Sequence, residues 1–156
     1  MKRFLLLLAP MEDHTDADFR ALCHAKGADA TFTEMARISG LARNNKSTLK
    51  KISIPTPIPT YVQLLGSDEE ALEKFLQAYV PAEGFLGFNL NLGCPSPNMI
   101  RKGFGCALVK RITKVKKLVH IIRSHGHPVS IKMRLGLNRH EKEKKKGRHH
   151  MPLATV

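Results

Sequence analysis

The sequence predicts an α/β protein with about five parallel strands and helices packed outside them. Short apolar runs alternate with stretches of helical period, joined by short connections, which is the pattern of parallel strands with crossover helices. Polar and turn-forming residues collect where the apolar runs end, which is where parallel α/β folds place their chemistry. Two architectures share these features, a doubly wound sheet and the front of a (β/α)8 barrel. A GxGxxG turn after the first strand would favour the doubly wound sheet. The residues there are APMEDHTD, which lack it.

Each element has its own signal. RFLLLLAP is a short apolar run closed by proline, a first strand. TDADFRALCHAKGA reads as a helix, capped by Thr15 or Asp16, with Phe19, Leu22 and Cys23 as its apolar stripe and Gly27 as its stop. ADATFTEM is a second strand. ARISGLARNNKSTLKK reads as a short helix and a loop, and IPTPIPT, with three prolines, as an extended connector. TYVQLLG is a third strand. SDEEALEKFLQAYV is a helix with a capping box from Ser67 to Glu70 and an apolar face of Leu72, Phe75, Leu76 and Tyr79. FLGFNLNLG is a fourth strand. TKVKKLVHIIRSHG is a helix with Val115, Leu118, Val119 and Ile122 on one side, closed by Gly126. HPVSIKMRLG is a fifth strand. After Gly136 the periodicity stops. Residues 1–137 therefore read as one domain and 138–156 as a basic, irregular, disordered tail.

At 156 residues and 42% apolar composition the chain is long enough for one real core. It contains no run of eighteen apolar residues that would span a membrane. The apolar stretch Phe4–Ala9 stops at Pro10 and is followed at once by acidic residues, so it reads as a buried strand rather than a secretion signal. Three cysteines without a CxxC pair argue against a disulfide framework or a zinc site, and eight histidines show no ligand spacing. A reducing cytoplasm is the expected location.

The net charge of +13 is unevenly spread. Residues 1–100 hold 10 Lys/Arg against 11 Asp/Glu, while residues 101–150 hold 16 against 2. Such asymmetry suits a polyanionic partner such as nucleic acid, or else a lysine-rich helix followed by a solvated tail.

The strand ends offer Pro10 and Met11, Glu34 and Met35, Gln63, Asn91 and Cys94, then Lys132 and Arg134. An amide, a lysine and a thiol on one face would suit a planar, hydrogen-bonding ligand. Each residue also has a plainer reading: Gln63 satisfying a backbone group, Lys132 turned to solvent, Cys94 as a small core hydrophobe. Gly93 and Pro95 favour the functional reading for Cys94, because they make it a turn residue. Cys23 on its stripe and Cys106 near a helix start read as packing residues.

Taken together, LAPMEDHTDADFR, TEM, VQLLGSD, NLNLGCPSPNMIRKGFGCAL and IKMRLG resemble, in order and spacing, the N-terminal part of a tRNA-dihydrouridine synthase. The resemblance covers about residues 5 to 137. Flavin barrels that act on free pyrimidines share a similar Asn-x-x-Cys-Pro turn and are the rival family. The resemblance implies an incomplete (β/α)8 TIM barrel, FMN as cofactor, NADPH as its reductant and tRNA as substrate. A uridine would be reduced to dihydrouridine by hydride delivery to C6 and proton delivery to C5. Cys94 matches the family's proton donor. Pro10 and Met11 match a segment at the flavin ring, Gln63 an amide on its pyrimidine edge, and Lys132 a lysine near N1 and the C2 carbonyl. Asn91 resembles a uracil contact, while Arg134, Arg101 and Lys102 would meet substrate RNA.

The family's histidine on a sixth barrel strand and its phosphate-holding glycine loops have no counterpart in this sequence. HEKEKKKGRHHMPLATV does not resemble the family's continuation beyond KMRLG and reads as a change of coding frame or an early end. FMN is accordingly expected to bind the chain alone weakly. An inactive remnant or a basic RNA-binding fragment is the alternative to an enzyme.

Overall fold

The computed structural model describes residues 4–136. The tail at 138–156 lies outside them. The described chain runs β1 (Leu7–Leu8), α1 (Ala17–Ala25), β2 (Ala30–Phe32), β3 (Ala36–Arg37), α2 (Ile38–Leu41), α3 (Lys46–Lys51), β4 (Thr60–Leu65), α4 (Glu69–Ala78), β5 (Phe85–Leu92), α5 (Pro97–Arg101), a 3-10 segment (Gly105–Lys110), α6 (Ile112–Ser124) and β6 (Val129–Met133).

The strands form one parallel sheet in the order β1-β2-β4-β5-β6, with β3 also paired to β4. New strands are always added on the same side. A doubly wound sheet reverses its strand order at a switch point, and this sheet does not. It is a curled half-barrel with helices on its outer face.

β2 and β3 are one broken strand. Thr31 pairs with Thr60 and Phe32 with Tyr61, an offset of 29, whereas Ala36 pairs with Leu64 and Arg37 with Leu65, an offset of 28. One extra residue is accommodated between Phe32 and Ala36, which is a β-bulge. This is why the expected second strand is interrupted, and its break lies at the end of the sheet where the site forms.

Alternation along the central strands separates the two faces. Val62, Leu64, Phe88, Leu90 and Leu92 point outward and are buried against Leu72, Phe75 and Leu76 of α4 and Leu118 and Ile122 of α6. The intervening residues, Gln63, Asn89 and Asn91, face inward.

Two expected details are corrected. Asp68, not Ser67, caps α4, its carboxylate accepting the Ala71 N–H at 3.0 Å. In α1, capped by Asp16, the expected stripe is largely exposed, with Phe19 at 38% and Leu22 at 54%. The buried residue of that helix is Arg20, at 2% exposure. Its guanidinium donates to the carbonyls of Thr15 (2.8 Å) and Ser53 (2.5 Å), which makes its burial tolerable. Burial pushes Arg20 below the usual arginine range, with Asp16 and then Glu34 acting the other way.

Among the described residues, both sheet edges are apolar and unpaired. Leu5, Leu6 and Leu7 at the β1 edge and Ile131, Met133 and Leu135 along the β6 edge are all exposed. No helix among the described residues is long and apolar enough to cross a membrane.

Candidate functional site: an amide chain beneath the Cys94 turn

The inner face of the sheet carries a line of side-chain amides fixed by register. Gln63 pairs with Asn89, Asn89 with Ser130, and Asn91 with Lys132. Register partners in a sheet share a face, so these residues sit side by side. Asn91 Nδ2 donates to Gln63 Oε1 at 3.0 Å, Gln63 Nε2 to Asn89 Oδ1 at 2.7 Å, and Asn89 Nδ2 to Ser130 Oγ at 2.8 Å. The Ser130 hydroxyl closes the line weakly on the Phe88 carbonyl at 3.4 Å. Gln63, Asn89 and Asn91 are buried, whereas Ser130 and Lys132 are exposed.

The upper end of this line holds the Cys94 turn. Asn91 Oδ1 accepts the N–H groups of Gly93 (3.0 Å) and Cys94 (2.9 Å). Arg134 Nε donates to the Gly93 carbonyl at 2.6 Å, and Cys106 N–H donates to the Cys94 carbonyl at 3.1 Å. Every backbone polar group of Gly93 and Cys94 is thus bonded, from β5, from the chain just after β6 and from the 3-10 segment. Pro95 has no N–H to satisfy. Cys94 itself is half-buried, Cys106 buried and Cys23 half-buried. What this arrangement offers chemically is one thiol-bearing residue whose backbone is held at the end of an inward-facing polar line.

The loop after β1 joins the same end of the sheet. Thr15, fully buried, donates its hydroxyl to the Met11 carbonyl (2.9 Å) and accepts the Met11 N–H (3.1 Å). Asp13, in the left-handed region at φ 62°, gives its N–H to Glu34 Oε1 at 2.9 Å. Glu34 is ion-paired to Lys51 at 3.4 Å, and Met35 beside it receives a long contact from Asn91 Nδ2 to Sδ at 3.6 Å. The bulge therefore bridges the Met11 loop and the Asn91 amide.

Known proteins are similar to this chain over most of its length. The family description "Dihydrouridine synthase (Dus)" matches residues 7–148. The chain belongs to the dihydrouridine synthase family. It is 34% identical over 139 residues to tRNA-dihydrouridine synthase B of Pseudomonas putida, covering 88% of this chain and 41% of that protein. It is 33% identical over 133 residues to tRNA-dihydrouridine synthase B of Escherichia coli (strain K12), covering 84% and 41% respectively. A probable tRNA-dihydrouridine synthase of Aquifex aeolicus is 30% identical over 148 residues, covering 92% of this chain and 46% of the relative. The chain spans about two fifths of the length of the curated relatives it matches.

In this member of the dihydrouridine synthase family, Gln63, Asn91, Cys94, Lys132 and Arg134 are brought together by the register of β4, β5 and β6 and by the Gly93 contact. The loop of Met11 is tied to the bulge by the Asp13 N–H on Glu34, and Pro10 precedes Met11 in that loop. Arg101 and Lys102 are exposed at the end of α5, with Arg101 bonded to Asn98. Lys102 instead borders a polar cavity of about 590 Å³ lined also by Arg37, Arg43 and Lys51. Lys51 is ion-paired to Glu12 and Glu34.

Asn89, Ser130 and Thr15 are site residues that sequence reasoning missed, and Glu34, read there only as a strand end, holds the Asp13 N–H and Lys51. Asn89 had a visible signal, since FNLNL alternates polar with apolar and puts Asn89 on the same face as Asn91. Among the described residues, no group of three His, Cys, Asp or Glu side chains could hold a metal ion.

Proposed function

We propose that the chain carries the substrate-reducing face of a flavin-dependent tRNA-dihydrouridine synthase, with Cys94 as the proton donor to uracil C5. The observation that carries the reading is the Cys94 turn, whose backbone is bonded at every polar group and which lies at the end of the amide line. General acid catalysis depends on a group of suitable chemistry held in place, and misplacement by about 1 Å can lower a rate about 10²-fold.

The residues suit the edge of a flavin ring. Gln63 spends one Nε2 proton on Asn89 and one Oε1 lone pair on Asn91. It retains one donor and one acceptor, the pattern that pairs with the adjacent carbonyl and N–H of a cyclic imide. Lys132 stands on the same face as Asn91 and brings a positive charge where a reduced ring would be anionic. The Met11 loop, held by Thr15, supplies backbone beside it. When bound and reduced by NADPH, FMN would supply the hydride for uracil C6.

The chain's part in the reaction is to fix the thiol, release its proton to C5 and recover a proton from solvent. Asn91 serves the turn with its carboxamide oxygen, so its contact with uracil would be made by the remaining polar capacity of its Nδ2 group. Arg134 keeps its terminal guanidinium nitrogens for substrate while its Nε holds Gly93. Lys102, with Arg37 and Arg43 around the polar cavity, would take RNA phosphate, and a base must leave its stack to reach a flavin.

The test supplies the chain with excess FMN, NADPH and unmodified tRNA and measures dihydrouridine by mass spectrometry. Cys94→Ala should cut dihydrouridine formation by about 10²–10⁴ while flavin-dependent NADPH oxidation persists. Equal product from the alanine variant would sink the assignment. A second reading, RNA binding without reduction, draws on the cations gathered around the polar cavity. It predicts salt-sensitive tRNA binding with no dihydrouridine under any supply of flavin.

A further inference from the structure

We propose that Gln63 is a positioning residue for the Cys94 turn, acting through Asn91, as well as a ring contact. The meaning of this for catalysis rests on Cys94 being the proton donor, but the coupling itself belongs to the chain alone.

Donor and acceptor accounting leads there. Asn91 Oδ1 accepts two backbone N–H groups, which uses both of its lone pairs. A flipped Asn91 would aim its NH2 at two donors, so the turn fixes the sense of that carboxamide. Nδ2 must then point at Gln63, which has to present Oε1 there, and Gln63 Nε2 must in turn meet the oxygen of Asn89. Two N–H groups of the turn thus choose the orientation of amides in two adjacent strands.

The dependence runs in both directions. With Gln63 at 2%, Asn89 at 3% and Asn91 at 9% exposure, water is poorly placed to substitute for a lost partner. Without Gln63 Oε1, Asn91 Nδ2 would keep only the Met35 sulfur at 3.6 Å, a weak acceptor. Asn91 would then be free to swing, and the N–H groups of Gly93 and Cys94 would lose their fixed acceptor. A ligand that hydrogen-bonds Gln63 polarises the same chain, so occupancy at the ring contact would tighten the turn that carries the thiol.

The three cysteines make this measurable without flavin or RNA. Alkylation by iodoacetamide is followed on the full chain and resolved for each cysteine by peptide mass. Cys23, half-buried on α1, reports general loosening, and Cys94 reports the turn. Gln63→Met keeps the side-chain length and removes both polar atoms. Gln63→Glu keeps an oxygen for Asn91 and closes the rest of the line once Asn89 turns over, its Nδ2 donating to the second carboxylate oxygen and its Oδ1 accepting from the Ser130 hydroxyl.

In Gln63→Met the Cys94 rate should rise about threefold or more, the scale at which single residues modulate such couplings. In Gln63→Glu it should return to within about twofold of the parent chain. Cys23 should be unchanged in both. Should the methionine variant fail to fold by circular dichroism, Gln63→Leu takes its place with the same expectation. An unchanged Cys94 rate, a parallel rise at Cys23, or a glutamate variant as fast as the apolar one would each overturn the proposal. Loss of the Cys94 assignment in the reduction assay would leave this result standing, and the reverse also holds, so the two failures are distinguishable.

Discussion

Gly105 is the position where a single methyl group should do most harm to the Cys94 turn. It lies at φ +57°, and a Cβ built there would stand 2.6 Å from the Cys94 carbonyl oxygen and 2.9 Å from Cys94 Cβ. The first term is backbone strain, about 1–2 kcal/mol for an L residue in the left-handed region. The second is the clash, which can be relieved only by moving backbone and stretching the Cys106 N–H to Cys94 carbonyl bond of 3.1 Å. Overpacking of that kind costs about 1–3 kcal/mol. Gly126 is the natural control, at φ +79° with nothing within 4 Å of an added methyl group, so Gly126→Ala bears the strain alone. In urea unfolding, Gly105→Ala should therefore lose about 1–3 kcal/mol more than Gly126→Ala, as a lower midpoint with an unchanged slope. Cys94 alkylation should accelerate only in Gly105→Ala. Equal losses in the two variants, with no change at Cys94, would refute the close-approach argument.

Burial, and secondarily His125, holds His127 below the usual histidine range. Its ring packs against those of Tyr79, Phe85 and Phe88. The folded state then binds fewer protons than the unfolded one, so this contribution is present above about pH 6.5 and fades as pH falls through the folded value; His127→Phe should flatten the acid limb of a stability–pH curve. Arg20→Met should cost about 2–4 kcal/mol in the same unfolding assay, because it leaves the Thr15 and Ser53 carbonyls without their charged donor. Binding of labelled tRNA should weaken steeply with salt, and Lys102→Ala or Arg43→Ala should each lower the logarithmic slope by about 1. Gel filtration after incubation with FMN should leave the chain with less than one flavin per molecule by absorbance. Self-association by sedimentation should diminish in Met133→Lys, since Met133 is 55% exposed on an open edge.

The fold is legible in the sequence where one physical signal dominates. β5 runs from Phe85 to Leu92 as its apolar run suggests, and α4 buries Leu72, Phe75 and Leu76 as its period requires. α1 misleads because Phe19 and Leu22 are apolar and Arg20 is not. The fold instead buries the guanidinium, whose two carbonyl partners are five and thirty-three residues away and leave no local trace. The cap of α4 shifts by one residue because Ser67 and Asp68 are both competent caps. The choice between doubly wound sheet and barrel needs the strand order. In the site, Gln63, Asn91, Cys94 and Lys132 can be singled out one at a time, while the bonds among them depend on the register of three strands. Arg134 illustrates the difference: its Nε contact with the Gly93 carbonyl spans forty-one residues of sequence.

The bulge in the second strand has a consequence for how this sequence can change over evolutionary time. Phe32, before it, stacks on Tyr61 of β4 at 5.0 Å, while Arg37, beyond it, pairs with Leu65 on that same inward face, so an even position and an odd one share a side. Losing one residue between Phe32 and Ala36 would remove the bulge: plain alternation would still leave Ala36 outward and Arg37 inward, but the Thr33 hydroxyl that receives the Gln63 N–H at 3.0 Å and the Glu34 carboxylate that receives the Asp13 N–H at 2.9 Å would be displaced. Substitutions there can be absorbed by neighbours, whereas losing the extra residue gives up the contacts that tie the bulge to β4 and to the Met11 loop. Among dihydrouridine synthases with this register, the number of residues between the second strand's two halves should accordingly be more constant than their identity.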